Sequence, residues 1–214
     1  MMARVGILSG SLEGIVTGHK VLDLFPEAEL HLITESAEMG LLGEGPGIFS
    51  RWPLVPEHWV SGLGAQTPGD TSTAVRRSWL EKAMATALAS RGCTIHLRTR
   101  VTERGENGSV SFVGAGLAGK GSIEFDKIVE ATPVSNSSKS WEGGVCFPDE
   151  PSPIQYSGIR TDGSLEVWWC ESPPISATWI QRMTWLGEDP TIALQRDIDR
   201  GILSAEALVD TIIQ

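Results

Sequence analysis

The sequence has little of what marks secreted, membrane or nucleic-acid-binding proteins. Its three cysteines, Cys93, Cys146 and Cys170, are odd in number and far apart, and they show no metal-ligand spacing. No apolar run reaches the length of a membrane-spanning helix, and no signal peptide is recognisable. The formal charge of −10 disfavours nucleic acid as a partner. These absences predict a reduced, cytoplasmic protein with no transmembrane segment and no metal site.

Motifs for nucleophilic catalysis are also missing. No Ser-His-Asp arrangement, nucleophile elbow or reactive-cysteine motif can be assembled from the sequence. Of the four histidines, only His58 lies in a predicted loop, whereas the others fall in a predicted helix or strands, where structural roles are expected. His58 is therefore the one histidine that we predict to be catalytic, as a group that transfers protons.

The first forty residues contain a strand, a Gly/Ser-rich turn, a helix and a second strand that ends in an acidic residue. The first strand is Arg4–Leu8, the turn spans residues 9–14, and the second strand runs from Leu30 to Glu35. This order predicts a βαβ dinucleotide-binding unit, in which the turn holds a pyrophosphate at a helix N-terminus. Glu35 follows the turn by about 20 residues, the distance at which a carboxylate meets the adenosine ribose hydroxyls.

The turn itself departs from the usual pattern of three glycines. It reads Ser9-x-Ser11-x-x-Gly14, so that only the last glycine is kept, and Gly10 supplies backbone freedom one position away. Ser11 adds a side chain where a ligand needs room, although its hydroxyl could donate to a phosphate. We predict a pyrophosphate site at Ser9, Gly10, Ser11 and Gly14, with an ordinary strand-turn-helix connection as the alternative.

The rest of the chain divides into a Gly/Pro-rich segment, further strands and two more helices. Residues 36–73 are predicted to form a loop that covers a site, or a structural lid. The elements after it are a helix from Ser72 or Thr73 to Gly92, strands at 94–101, 109–113, 123–133 and 164–170, a hairpin partner at 154–159, a strand near 178–185 and a closing helix after Asp189.

Taken in order, these segments resemble the FAD-binding fold of the glutathione-reductase type, and look closest to flavoprotein monooxygenases and geranylgeranyl-reductase-like oxidoreductases. The segments that carry the resemblance are the turn with Glu35, Arg77-x-x-Leu80, Arg100-Val101, the strand 125–133 that ends in Ala-Thr-Pro, and Gly187-Glu188-Asp189. The resemblance implies an α/β fold: a Rossmann-like βαβ FAD-binding fold with a parallel central sheet, a small antiparallel β excursion and a small β-rich substrate layer. It implies a cofactor domain at 1–133 and 186–214, and a cap region at 134–185.

The same resemblance implies roles for individual residues. The turn would frame the FAD pyrophosphate, Glu35 would accept from the ribose, Val101 would flank the adenine, and Asp189 would bond the ribityl chain. Arg51 or Arg77 would neutralise phosphate charge, with a surface or structural role as the alternative for each.

Tryptophan is unusually frequent, with eight residues against a single tyrosine. Trp52, Trp59 and Trp168 fall in the covering loop and the cap region, where we predict that they line an apolar substrate pocket. The alternative is that they fill the core of a small second layer. Trp168 and Trp169 are adjacent on a predicted strand and must point to opposite faces.

The sequence therefore favours a small FAD-dependent oxidoreductase that acts on an apolar or aromatic small molecule. One alternative is a cofactor-less relative of the flavoprotein fold that serves as a binding or partner module. Another is an NAD-binding protein, with NAD preferred over NADP because Glu35 would repel a 2′-phosphate. Whether the chain is an enzyme, what its substrate is, and whether it forms a homodimer stay open at this stage.

Overall fold

The computed structural model describes residues 3–40, 45–62, 64–114, 119–131, 139–147 and 154–213. Within these ranges the chain forms three β-sheets and three α-helices. None of the helices in these ranges combines the length and apolarity needed to cross a bilayer. Thr132 and Pro133, the end of the predicted Ala-Thr-Pro segment, lie outside the described residues.

A four-stranded parallel sheet forms the centre of the chain. In spatial order its strands are β3 (Thr94–His96), β2 (Glu29–Ile33), β1 (Arg4–Leu8) and β7 (Lys127–Glu130). The chain moves from β1 through helix α1 (Leu12–Leu24) to β2 on one side, while β7 pairs with β1 on the other. The predicted parallel central sheet is confirmed, and its strand order reverses between β1 and β7.

Helix α1 is enclosed by the sheet and by the two other helices, α2 (Arg77–Ser90) and α3 (Ala193–Ile213). α3 approaches α1 closely at Gly201, where an added Cβ would lie 2.6 Å from the Glu13 carbonyl oxygen. The Thr17 hydroxyl, which is 2.8 Å from that same oxygen, is 3.2 Å from the carbonyl oxygen of Gly201. The glycine thus permits a helix contact that a larger residue would block.

The predicted start of α2 at Ser72 or Thr73 needs correction. The backbone N–H groups of Thr73 and Ala74 donate to the carbonyl of Ile159, and that of Val75 donates to Gly47. These residues are therefore extended chain that pairs with other segments, and the helix begins only at Arg77.

A three-stranded antiparallel sheet forms the predicted excursion, and comprises β4 (Thr99–Arg104), β5 (Ser109–Gly114) and β6 (Lys120–Glu124). The single strand expected at 94–101 is broken at Arg98, whose φ of 49° lies in the left-handed region. This bend lets the N–H groups of Arg98 and Thr99 donate to the carbonyls of Ser36 and Thr34, at 2.9 and 2.8 Å. The start of β4 is thereby fixed beside the end of β2.

A four-stranded antiparallel sheet forms the β-rich layer, in the order β11 (Gln181–Leu186), β8 (Ser140–Cys146), β10 (Leu165–Trp169) and β9 (Ser157–Ile159). Trp168 packs in one apolar cluster with Trp141 and Met183, whereas Trp169 packs in another. The predicted hairpin and the opposite orientation of the two tryptophans are confirmed.

A buried carboxylate joins this sheet to the loop after β2. The Glu166 side chain is fully buried, and its Oε1 accepts from the Gly47 backbone N–H and from Trp168 Nε1, both at 2.8 Å. Its Oε2 accepts from Nε and Nη2 of Arg160, at 3.1 and 2.7 Å. The ion pair is therefore desolvated and its carboxylate oxygens are all hydrogen-bonded.

A second polar cluster lies at the C-terminal end of α1, where the loop 45–62 packs. Asp23 accepts from Trp59 Nε1 at 2.8 Å, from His58 Nε2 at 3.0 Å, and from Arg91. The buried His19 ring stacks on Trp59, with ring centroids 5.3 Å apart, and its Nε2 is 2.9 Å from the Met84 carbonyl oxygen. Burial, with a smaller contribution from Arg91, lowers the pKa of His19 to about 4.

Replacing the buried carboxylate by its amide tests how strongly the β-rich layer is attached. Glu166→Gln leaves the buried Arg160 guanidinium without the carboxylate that it bonds, so we expect the free energy of unfolding to fall by about 3–5 kcal/mol in urea titrations. The control Glu142→Gln removes an exposed carboxylate paired with Arg182 and should cost less than about 1 kcal/mol. Equal losses in both variants would contradict the role assigned to Glu166.

The buried His19 predicts a pH dependence of stability. Folded His19 keeps its neutral form down to about pH 4, whereas an unfolded histidine titrates near 6.5, so the unfolded state binds more protons between these values. The free energy of unfolding should therefore decrease by up to about 3 kcal/mol as the pH falls from 7 to 4. His19→Gln should flatten this slope. A slope that is unchanged by His19→Gln would show that other groups cause it.

Candidate functional site

A cleft of about 550 Å³ opens at the carboxyl ends of the parallel strands, next to β4. Ligands of open α/β sheets bind at this edge, where the loops after the strands diverge. The cleft is lined by Leu8, Ser9, Gly10, Ile33, Thr34, Glu35, Ser36, Thr99, Val101, Thr102, Glu103, Arg104 and Ala131. The structure thus brings Ser9, Gly10, Glu35 and Val101, which were predicted from three separate segments, into one site.

The part of the cleft after β2 combines a free carboxylate with an apolar floor. The Glu35 side chain is exposed, and no side chain in the described ranges pairs with it. Val101 packs with Leu8 and Ile33 in the apolar cluster between the parallel sheet and the antiparallel excursion. A flat ring lying on Val101 would therefore have a hydrogen-bond acceptor beside it.

The turn after β1 is closed by its own hydroxyl groups. Ser9 Oγ donates to the Ala131 carbonyl oxygen at 2.6 Å, and accepts from the Ser11 backbone N–H at 3.1 Å. Ser11 Oγ lies 2.9 Å from Ser9 Oγ and 3.3 Å from the same carbonyl. A Cβ at Gly14 would lie 2.4 Å from Ser9 Oγ, so that Gly14 makes room for the Ser9 side chain.

The charges around the turn are paired across the helices. The Glu13 carboxylate, in the first turn of α1, lies 3.1 Å from Arg200 of α3. Burial raises the pKa of Glu13, although the Arg200 charge opposes this effect.

Arg104, a cation that lines the cleft and was not predicted, pairs with Glu130 at the end of β7. Its place at the end of an amphipathic strand gave no sign of this role.

Three of the predicted cofactor-binding residues lie away from the cleft. Arg77 is buried between α2 and α3, where it pairs with Glu81 and Asp197; this corrects its predicted contact with a phosphate. Arg51 is exposed on the loop and does not line the cleft. Asp189 accepts from the backbone N–H and hydroxyl of Thr191, at 2.8 and 2.7 Å, just before α3.

The predicted catalytic and substrate-binding residues are also elsewhere. His58 binds Asp23 at the C-terminal end of α1, roughly 18 Å along the helix from the turn. Trp59 and Trp168 are each only 1% exposed, so they are core side chains and not pocket walls. Trp52 is half-buried, with its ring 5.6 Å from that of Phe49. The position of His58 gives no support to a catalytic role.

The predicted covering loop contributes little to this cleft, since Ser36 is its only described residue among the lining side chains. A second hollow of about 580 Å³ lies between this loop and α3. Its apolar walls are Ile48, Phe49 and Ile192.

Within the described ranges, no group of three or more His, Cys, Asp or Glu side chains is placed to hold a metal ion.

Comparison with known proteins identifies the fold. No protein-family model and no curated protein matches the chain. A geranylgeranyl bacteriochlorophyll reductase-like protein from Thermoplasma acidophilum matches 99% of this chain and 79% of its own, with a TM-score of 0.65 and 11% identity. A flavoprotein/dehydrogenase from Cytophaga hutchinsonii matches 98% of this chain and 78% of its own, with a TM-score of 0.62 and 11% identity. An aromatic hydroxylase from angucycline biosynthesis matches 98% of this chain, with a TM-score of 0.59 and 13% identity.

Several of the matched structures are considerably longer than this chain. It spans 52%, 63% and 62% of the lengths of three of them, the hydroxylase included. Identities this low identify the architecture and leave the activity to be established. The chain has the Rossmann-like fold of FAD-binding oxidoreductases.

Proposed function

We propose that this chain binds FAD in the cleft at the ends of β1, β2 and β7, as part of an oxidoreductase that acts on an apolar or aromatic small molecule. The observation that carries the proposal is the convergence of Gly10, Glu35 and Val101 on one cleft in a flavoprotein-type fold. The volume of the cleft lies in the range of small-molecule sites, about 300–1,000 Å³.

The residues present suit the adenosine diphosphate half of the cofactor. We expect the exposed Glu35 carboxylate, which is unpaired among the described residues, to accept from ribose hydroxyls, and Val101 to offer an apolar surface to the adenine. The first-turn N–H groups of α1 are donors for the pyrophosphate, since Ser11 at the N-cap makes no side-chain capping bond to them. The free carboxylate and these uncapped donors are complementary to ribose and phosphate respectively.

Bound FAD would supply electron transfer, while the protein supplies binding, orientation and electrostatics. In this chain Glu35 would orient the ribose, and Val101 with Leu8 would exclude water from one face of the adenine. For the substrate we propose the hollow beside α3, because Ile48, Phe49 and the 52% exposed Ile192 give it apolar surface. Its remaining lining is polar or charged and includes Arg196 and Asp199. The aromatic hydroxylase among the matched structures supports an aromatic substrate class.

A second candidate function follows from the hydroxyl groups of the turn. Ser9 and Ser11 already satisfy the Ala131 carbonyl and one another, so the hydroxyl groups of the turn have partners without a ligand. A chain that had lost its cofactor and served as a binding or partner module would have this property. The visible spectrum of the purified protein, recorded with and without added FAD, distinguishes the two functions.

The ribose contact is tested by Glu35→Ala. Removing a charge-assisted hydrogen bond should weaken FAD binding by about 1.5–3 kcal/mol, measured as the dissociation constant in a fluorescence or calorimetric titration. The matched control is Glu38→Ala, because Glu38 is an exposed carboxylate nearby that pairs with Lys82 and does not line the cleft. Unchanged FAD affinity in a folded Glu35→Ala protein would show that the ribose lies elsewhere.

A further inference from the structure

The crevice between the ends of β1 and β7 is the position at which strand order reverses. β1 leads through α1 to β2 on one side, and pairs with β7 on the other. In open α/β sheets this reversal point is where a ligand enters between diverging loops. Ser9 follows β1 directly and Ala131 follows β7 directly, so their contact spans this crevice.

The hydrogen bonds across the crevice form a closed group. Ser9 Oγ donates to the Ala131 carbonyl at 2.6 Å and accepts from the Ser11 backbone N–H at 3.1 Å. The Ser9 backbone N–H donates to the Ile33 carbonyl, at 3.0 Å. Ser9 is 8% exposed, so this group is shielded from water, and its bonds are stronger than exposed ones.

The two serine side chains bond to each other and to Ala131, and they do not make the hydrogen bonds that usually cap a helix. A serine at an N-cap normally accepts from a first-turn N–H of its helix, but Ser11 makes no such bond. Its hydroxyl instead lies 2.9 Å from Ser9 Oγ and 3.3 Å from the Ala131 carbonyl. The serines therefore serve the crevice between the strands, and they leave the helix end uncapped.

We infer that Ser9 acts as an internal latch that sets the affinity of this cleft for nucleotide pyrophosphates. Its hydroxyl oxygen accepts a hydrogen bond from the Ser11 backbone N–H. In such a turn this N–H would otherwise donate to a phosphate oxygen. A bound pyrophosphate must compete with this oxygen and displace the Ser9–Ala131 bridge. The inference rests on the proposed nucleotide site, and it makes Ser9 a positioning residue that acts through the Ser11 backbone.

The test is a gain of affinity. In Ser9→Ala the Ser11 N–H is released, while the Ala131 carbonyl keeps the Ser11 hydroxyl as a partner. We expect ADP and FAD to bind about tenfold more tightly than to the unaltered chain in calorimetric titrations, which corresponds to about 1.4 kcal/mol. In Ser11→Gly the Ser9 hydroxyl still accepts the backbone N–H at position 11, so affinity should rise less than in Ser9→Ala. The control Ser90→Ala makes the same change at the exposed C-terminal end of α2, away from the cleft, and should leave affinity unchanged.

A spectroscopic measurement separates the latch from a general loosening of the turn. In ¹H–¹⁵N spectra, the Ser11 amide resonance should move when ADP is added to Ser9→Ala. The Ser36 amide resonance should move in both the unaltered chain and Ser9→Ala. A larger affinity without movement of the Ser11 amide would overturn the inference. So would equal affinity in a Ser9→Ala protein whose near-ultraviolet circular dichroism is unchanged.

The outcomes also separate this inference from the proposed function. Tight FAD binding by the unaltered chain, with no gain in either variant, leaves the flavin proposal intact and overturns the latch. Binding by Ser9→Ala but not by the unaltered chain supports the latch, and shows that the unaltered chain is not a flavoprotein. Failure of all these proteins to bind ADP or FAD overturns both.

Discussion

The buried Glu166 carboxylate, together with the backbone bonds from Thr73 and Ala74 to Ile159, joins the β-rich layer to the rest of the chain. It accepts hydrogen bonds from Gly47 in the loop after β2, from Arg160 just after β9, and from Trp168 in β10. Four hydrogen bonds offset the cost of taking this charge from water. Because Gly47 is held in this way, the neighbouring Ile48 can pair with Ala74 and form one wall of the hollow beside α3.

The cleft at the strand ends contrasts with that closed cluster, since its polar groups are only partly satisfied internally. At one end the Glu35 carboxylate is exposed and unpaired among the described residues. At the other end the Ser9 hydroxyl already has a donor and an acceptor within the chain. In the binding mode that we propose, the ribose would meet this exposed carboxylate, while the phosphates would compete with the Ser9 hydroxyl. This asymmetry explains why two functions, cofactor binding and a role without cofactor, remain compatible with one fold.

Several residues that stood out in the sequence have structural roles, and the cause in each case is a partner far along the chain. Arg77 has an acidic residue four positions later, Glu81, but its second partner, Asp197, comes from α3. Trp59 is buried because its indole N–H meets Asp23 and its ring meets His19. A sequence pattern identifies such side chains as unusual, yet it cannot tell an internal partner from a ligand.

The sequence by itself determined the order and type of most elements, because helix periodicity, strand alternation and glycine turns are local properties. It located β1, α1, β10 and the excursion correctly, and it selected four residues of the cleft. Tertiary structure alone decided the extended course of Thr73–Val75, the bend at Arg98 and the closure of the turn by Ser9. Each of these depends on hydrogen bonds to distant segments, with Ser9 and Ala131 separated by 122 positions. Local preferences cannot specify such pairs, since their partners meet only when the sheet has formed.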